Sequence, residues 1–229
     1  MEDLSLDKHI EVAELYSCEV EYLAEHFSGK KYPWELLSGL RELIEGLIDK
    51  GIDGFELVDT GVLVGEGTVI SPTAVIEPPA IIGKNCVLRP GAYIRGCVVT
   101  GDGCVIGNST EIKGSILLDG VQAPHYNYIG DSVLGNGAHL GAGVILSNLK
   151  GDKKDVVVHA EEDYPTGRRK LGAMLGDGAD IGCGSVLNPG TVIGRGSRVY
   201  PLQSVRGCLF PDSILKPTGV FPIIKDEEM

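Results

Sequence analysis

Aliphatic residues recur every six positions through the middle of this chain. Val64, Ile70, Ile76, Ile82, Leu88 and Ile94 open the series, and Ile106, Ile112 and Leu118 continue it. Leu134, Leu140 and Leu146 follow, and after a gap come Leu175, Ile181, Leu187, Ile193, Val199 and Val205. A helix with 3.6 residues per turn does not bring every sixth residue back to one face. Six residues do make a short strand and a turn, with one side chain driven inward. Three such units close a triangular coil, and coils stack at the strand spacing of about 4.8 Å. The period therefore specifies an all-β solenoid, a parallel β-helix, over about 62–207. The 33 Gly and 12 Pro belong to its turns rather than to disorder. Ile82, Leu88, Ile112, Leu140, Ile181 and Ile193 are expected to point inward.

Residues 1–54 lie outside the repeat. Trp34, Leu37, Leu40, Ile44, Leu47 and Ile48 recur at three- and four-residue spacings after Pro33, which describes one face of a helix ended by Gly51. A solenoid end exposes unpaired strand edges, so these helices are expected to form an N-terminal helical cap, with a side pack or an interaction arm as alternatives. The domain organisation is then a helical cap over 1–54, a β-helix over 55–209 with a loop insertion at 149–174, and an extended C-terminal tail over 210–229. The phase slips around Cys97 to Val99, fails through 119–128, and fails again between Asn148 and Met174. Loops thrown off a rigid scaffold tend to carry binding groups, so these interruptions draw attention.

A net charge of −12 argues against a nucleic-acid surface, which needs clustered Lys and Arg. No apolar run reaches a membrane span and the first residues are acidic and polar, so a soluble cytoplasmic protein with no membrane partner is expected. The six Cys form no CxxC pair and are expected to be buried free thiols.

Three features could carry chemistry. His125, at an irregular point, can take up a proton near neutral pH, although a lone histidine is commonly structural. Arg95 and Lys113 are 18 residues apart, one full coil, so they should stack on one face, where two like charges repel unless an anion lies between them. Arg89 holds the same place in its own repeat, one face earlier. Asn148 and Lys154 open the insertion, where a turn residue and a solvated charge are the ordinary outcomes.

Glu111-Ile-Lys113, Pro124-His-Tyr-Asn-Tyr128-Ile-Gly-Asp131, Leu140-Gly-Ala-Gly143, Ser147-Asn148-Leu and Gly167-Arg-Arg-Lys-Leu-Gly-Ala173 stand in that order. The set resembles the left-handed β-helix acyltransferases. It is most similar to the acetyltransferase half of the bifunctional glucosamine-1-phosphate acetyltransferase / N-acetylglucosamine-1-phosphate uridyltransferase and its archaeal sugar-1-phosphate nucleotidyltransferase relatives. The resemblance implies a left-handed helix, a homotrimer with sites between chains, and acetyl transfer from acetyl-CoA to the amine of an amino-sugar phosphate, with no metal required. It implies His125 as general base and Lys113, with Arg95 or Arg89, as phosphate ligands. It further implies Tyr128 and Asn148 as sugar-site residues, Ala142 as the backbone facing the thioester, and Lys154 as a basic residue near coenzyme A. His139 stands where the family has a sugar-site Asn, and Val157 where archaeal relatives have a second Lys. Residues 1–54 are too short for a nucleotidyltransferase domain, so no pyrophosphorylase activity is expected. A non-catalytic trimeric sugar-phosphate scaffold, or acyl transfer to another amino sugar or sugar nucleotide, are the alternatives.

Overall fold

The computed structural model describes residues 8–223; the outer ends of the expected helical segment and tail, 1–7 and 224–229, lie outside the described residues. Three sheets of nine, nine and seven strands form the sides of a left-handed parallel β-helix. Face 1 begins its parallel ladder at Val62–Gly65, face 2 at Val69–Ile70 and face 3 at Val75–Glu77. The six residues expected to point inward are all essentially inaccessible and belong to one continuous core.

The core phase is more regular than the sequence suggests. Thr100 fills the inward position between Ile94 and Ile106, and its Oγ1 accepts the Gly83 N–H at 2.9 Å. The expected slip at Cys97 to Val99 is thus a polar residue in an apolar series. Ala123 likewise fills the position between Leu117 and Ile129, within the strand Gln122–His125. The stretch 119–128 is therefore a regular strand and corner, and His125 does not interrupt the repeat. What changes is the corner after face 3. Tyr93 pairs with Glu111, eighteen residues on, but Glu111 pairs with Tyr128 after seventeen. The next coil is shortened likewise, with Tyr128 pairing with Ile145 after seventeen, and the first shortening makes Leu117 the inward residue and turns Leu118 outward, contrary to expectation.

Ile145 pairs with Val186, forty-one residues on. The extra chain contains a hairpin of Val157–His159 with Asp163–Pro165.

The helical segment runs along the outside of face 1 rather than across the first coil. It contains α1 (Val12–Leu15), α2 (Glu21–Phe27), a 3₁₀ turn at Pro33–Leu37 and α3 (Leu40–Lys50). Gly39, at φ 69°, separates the last two, so the periodicity expected as one helix is carried by two pieces. Outward residues of face 1 are apolar: Leu63, Ile81, Val99, Ile116, Val133, Met174 and Val192 are buried against Leu15, Leu23, Trp34 and Ile44. The Tyr22 hydroxyl donates to the Thr100 carbonyl at 2.6 Å, and the Ser17 N–H to Asp177 Oδ2 at 2.8 Å, pinning the cover to separate coils. Tyr164 of the insertion packs on Tyr32 and Trp34. Two of the edges are taken by antiparallel strands instead: Phe55–Asp59 on the first strand of face 1, and Gly219–Pro222 folded back on Ser213–Lys216 at the last of face 2. The expected tail thus adds a further strand to face 2 before it turns.

Candidate active site

His125 ends a face-2 strand and stands at the corner leading to face 3. Tyr126, at φ 52°, makes the bend, and its N–H donates to the Asn108 carbonyl at 2.8 Å. Buried Asn127 holds the corner: its Nδ2 donates to the Gly141 carbonyl at 2.8 Å, and its Oδ1 accepts the His125 N–H at 3.2 Å. Gly107, beneath Pro124, is required here, because a Cβ would fall 1.6 Å from the Pro124 carbonyl oxygen. The backbone is therefore fixed while the imidazole is exposed, with no hydrogen-bond partner among the described residues.

Ala142 stands directly above His125 in register, and the Gly143 N–H donates to the His125 carbonyl at 3.0 Å. Ala142 is exposed, its carbonyl accepts from Gly184, and its N–H has no acceptor among the described residues. A free imidazole and a free N–H thus share one corner. Cys183 is the next residue on the same column, and it is exposed, unlike the buried thiols expected. Arg89 lies two coils below, also exposed at this corner.

The second group lies across face 3. Glu77, Arg95 and Lys113 stack on one outer row, as their spacing requires. Their charges need no bridging anion: Arg95 pairs with Glu111 at 2.6 Å and Lys113 with Asp131 at 3.1 Å. The Lys113–Asp131 pair is only 21% and 14% exposed. Asp131 also accepts from the Asn148 amide. Above Lys113 the row continues with Gly130. A Cβ at Gly130 would lie 2.6 Å from Asn148 Nδ2 and 2.8 Å from the Tyr128 hydroxyl. Tyr128 and Asn148 therefore converge over a glycine floor, beside a cation and a carboxylate, in a cradle that any side chain would fill.

Glu111 and Asp131 lay inside the motifs read above but received no role; their ladder positions beside Arg95 and Lys113 are the signal that finds them. Arg168 of the insertion is half-buried, which pulls its pKa below the ordinary guanidinium value, and it donates to Ser38 Oγ at 3.2 Å. Two expected site residues stand apart. His139 begins a face-2 strand, over Gln122 rather than His125, and its Nδ1 is 2.8 Å from Asp180. Lys154 is exposed in the insertion, where its N–H donates to Asp152. Among the described residues no group of His, Cys, Asp or Glu is arranged to hold a metal, and no helix is long and apolar enough to cross a membrane.

Coils of hexapeptides with polar groups gathered at one corner and one face define the hexapeptide-repeat class, and residues 61–96 match the family described as bacterial transferase hexapeptide (six repeats). Within it the chain is homologous to the GlmU-type bifunctional proteins and to the archaeal bifunctional sugar-1-phosphate nucleotidylyltransferase/acetyltransferase. It is 35% identical over 226 residues to the bifunctional protein GlmU of Methanococcus maripaludis, covering 97% of this chain and 53% of that one. It is 39% identical over 88 residues to the bifunctional sugar-1-phosphate nucleotidylyltransferase/acetyltransferase of Sulfurisphaera tokodaii, covering 38% and 22%. The chain spans about half the length of the longest-matched relatives. Among solved structures, the UDP-N-acetylglucosamine acyltransferase from Campylobacter jejuni aligns at a TM-score of 0.46 and 16% identity, over 68% of this chain and 67% of that one.

Proposed function

We propose that the protein is an acetyl-CoA-dependent N-acetyltransferase acting on an amino-sugar phosphate of the glucosamine-1-phosphate kind. The observation that carries this reading is the pairing of an unpartnered imidazole, His125, with an unpartnered backbone N–H, Ala142, at one exposed corner. The amine of the acceptor attacks the thioester carbonyl. The acceptor attacks as the free amine, and His125 takes the proton its nitrogen sheds as the carbon–nitrogen bond forms. The Ala142 N–H stabilises the oxyanion of the tetrahedral intermediate. A carbon–nitrogen bond forms, the carbon–sulfur bond breaks, and the proton held by His125 returns to the leaving thiolate. No acyl-enzyme and no metal is required.

Tyr128 and Asn148 contact the sugar in the cradle over Gly130, and the Lys113 ammonium and Arg95 guanidinium, or Arg89, bind its phosphate. Binding energy at the phosphate then places the amine for attack. Lys154 approaches coenzyme A. The cradle lies on face 3 and His125 at the end of a face-2 strand, so a neighbouring chain completes the site, which fits a homotrimer. Face 1 is under the helical cover, leaving faces 2 and 3 for such contacts.

The test is thiol release from acetyl-CoA by the purified protein with a panel of amino-sugar phosphates and sugar nucleotides, with mass determined by light scattering. Release with an amino-sugar phosphate supports the reading. Release only with a sugar-nucleotide amine moves the acceptor, and none with any acceptor overturns the reading.

A further inference from the structure

The forty-one-residue coil places a second polar centre on face 3 that the acetyl-transfer scheme does not use. The hairpin Val157–His159 and Asp163–Pro165 borders a cleft of about 260 Å³, lined by Ser147, Lys150, His159, Asn188 and Arg206 among others. Ser147, Asn188 and Arg206 continue the outer row that begins with Arg95, Lys113 and Gly130. The lower cations of that row are neutralised by Glu111 and Asp131. Arg206 differs: no carboxylate lies within ion-pair distance of it among the described residues, and its Nη2 meets His159 Nε2 at 3.3 Å. The other ring nitrogen, Nδ1, is 2.6 Å from Asp163 Oδ1.

A guanidinium can only donate, so in this contact Nε2 is the acceptor and Nδ1 faces Asp163. Asp163 thus orients the ring, and the ring orients Arg206. One of five guanidinium N–H donors is used in this contact, and the others remain for a ligand. Lys150 adds a second cation to the wall, with its ammonium 3.6 Å from Asp152 and 3.3 Å from the Asp155 carbonyl. Asp152 lines the same cleft and offsets Lys150, so Arg206 is the cation there with no carboxylate within ion-pair distance among the described residues.

We propose that the cleft under the hairpin binds a phosphate group, with Arg206 as a two-pronged ligand, Lys150 as a second cation, and His159–Asp163 as a positioning pair. The ligand class is a small molecule presenting a phosphate monoester or a diphosphate. A guanidinium fork matches two phosphate oxygens at once, which an ammonium cannot do. Arg206 lies four register steps from Lys113, about 19 Å at the strand spacing. One sugar phosphate cannot touch both, so this centre is separate from the Gly130 cradle. The inference stands on geometry alone and holds whether or not acetyl transfer occurs. Two sources offer the same chemistry: the phosphates of an acyl-CoA and those of a nucleoside diphosphate.

Titration calorimetry on the full chain at fixed ionic strength, without turnover, tests it with pyrophosphate, CoA, dephospho-CoA and UDP as probes. Pyrophosphate and either CoA or UDP should bind the wild type, and Arg206→Gln should weaken them at least about tenfold. Arg206→Lys should recover only part of the loss, and Asp163→Asn should weaken binding several-fold with the thermal midpoint unchanged. A loss confined to CoA, with dephospho-CoA already weak in the wild type, identifies the acyl donor's 3′-phosphate. A loss of UDP with CoA untouched identifies a nucleoside diphosphate. If no probe binds the wild type, or Arg206→Gln binds all four as the wild type does, the proposal is overturned.

Discussion

Faces 1 and 3 are made of the same six-residue unit and share one core, yet their outer surfaces are opposites. On face 1 the outward middle residues are Leu63, Ile81, Val99 and Ile116, and a helical segment buries them. On face 3 the outward residues include Glu77, Tyr93, Arg95, Glu111 and Lys113, joined in ion pairs and hydrogen bonds with no helix of the described residues laid over them. Inward residues set the solenoid, while outward residues decide whether a face becomes interior or working surface. Charged groups are concentrated where no described helix lies over the face, because burial there would leave them to be desolvated.

Breaking the two faces in parallel should give the largest effect. Ile116→Asp places an unpaired carboxylate between two apolar layers and should cost about 3–5 kcal/mol, whereas Tyr93→Ala on face 3 should cost less than about 1 kcal/mol. Urea unfolding of both variants checks this; equal losses would mean that the cover contributes nothing. Next in size is chemistry at the bare corner. His125→Ala should lower kcat by about 10²–10⁴ with an unchanged unfolding midpoint. Lys113→Ala should instead raise the KM for the phosphorylated acceptor. A His125→Ala enzyme with wild-type kcat and pH profile would remove that residue from the mechanism.

A smaller effect separates the faces by pH. Burial raises the Tyr22 phenol well above its ordinary value, with Asp102 adding to it, and burial raises Tyr16 likewise, with Asp177 adding. Both phenols keep their protons in the folded state and lose them on unfolding above about pH 10. Their contribution is complete below about pH 10 and declines as pH rises further, so unfolding free energy should fall between pH 10 and 12. Tyr22→Phe should flatten that slope, and an unchanged slope would detach Tyr22 from the effect. The smallest difference is in thiol reactivity. Cys18, under the cover, is pushed up to about 11 by burial, while Cys183 stands exposed at the bare corner. Iodoacetamide at pH 8 should modify Cys183 well before Cys18, as peptide mapping would record; the reverse order would contradict the arrangement.

Much of this was legible in one dimension. The period located the core because each inward position depends on the residue type at that position alone. It misled where the type was atypical: Thr100 and Ala123 looked like breaks, and a one-residue corner deletion moved the inward role from Leu118 to Leu117. The cover on face 1 also had a signal. Apolar runs of three, Val62-Leu-Val64, Ala80-Ile-Ile82 and Ala173-Met-Leu175, mark a strand buried on both sides, with Ser or Thr taking one place in most of the other coils. The stacking of Arg95 on Lys113 followed from spacing, but their neutralisation did not, because Glu111 and Asp131 become partners only through the direction their side chains take.

The sequence by itself determined the solenoid and most of its inward residues, since both follow from repeat length; the column that sets Ala142 above His125 needs the seventeen-residue coil that only the structure shows. Tertiary structure alone decided which elements cover face 1, that Tyr128 and Asn148 meet over Gly130, and that Arg206 is held by His159 rather than by a carboxylate. Those contacts join parts of the chain outside the period. Their meeting depends on the path taken by the helical segment and by the long insertion, and no repeat spacing encodes that path.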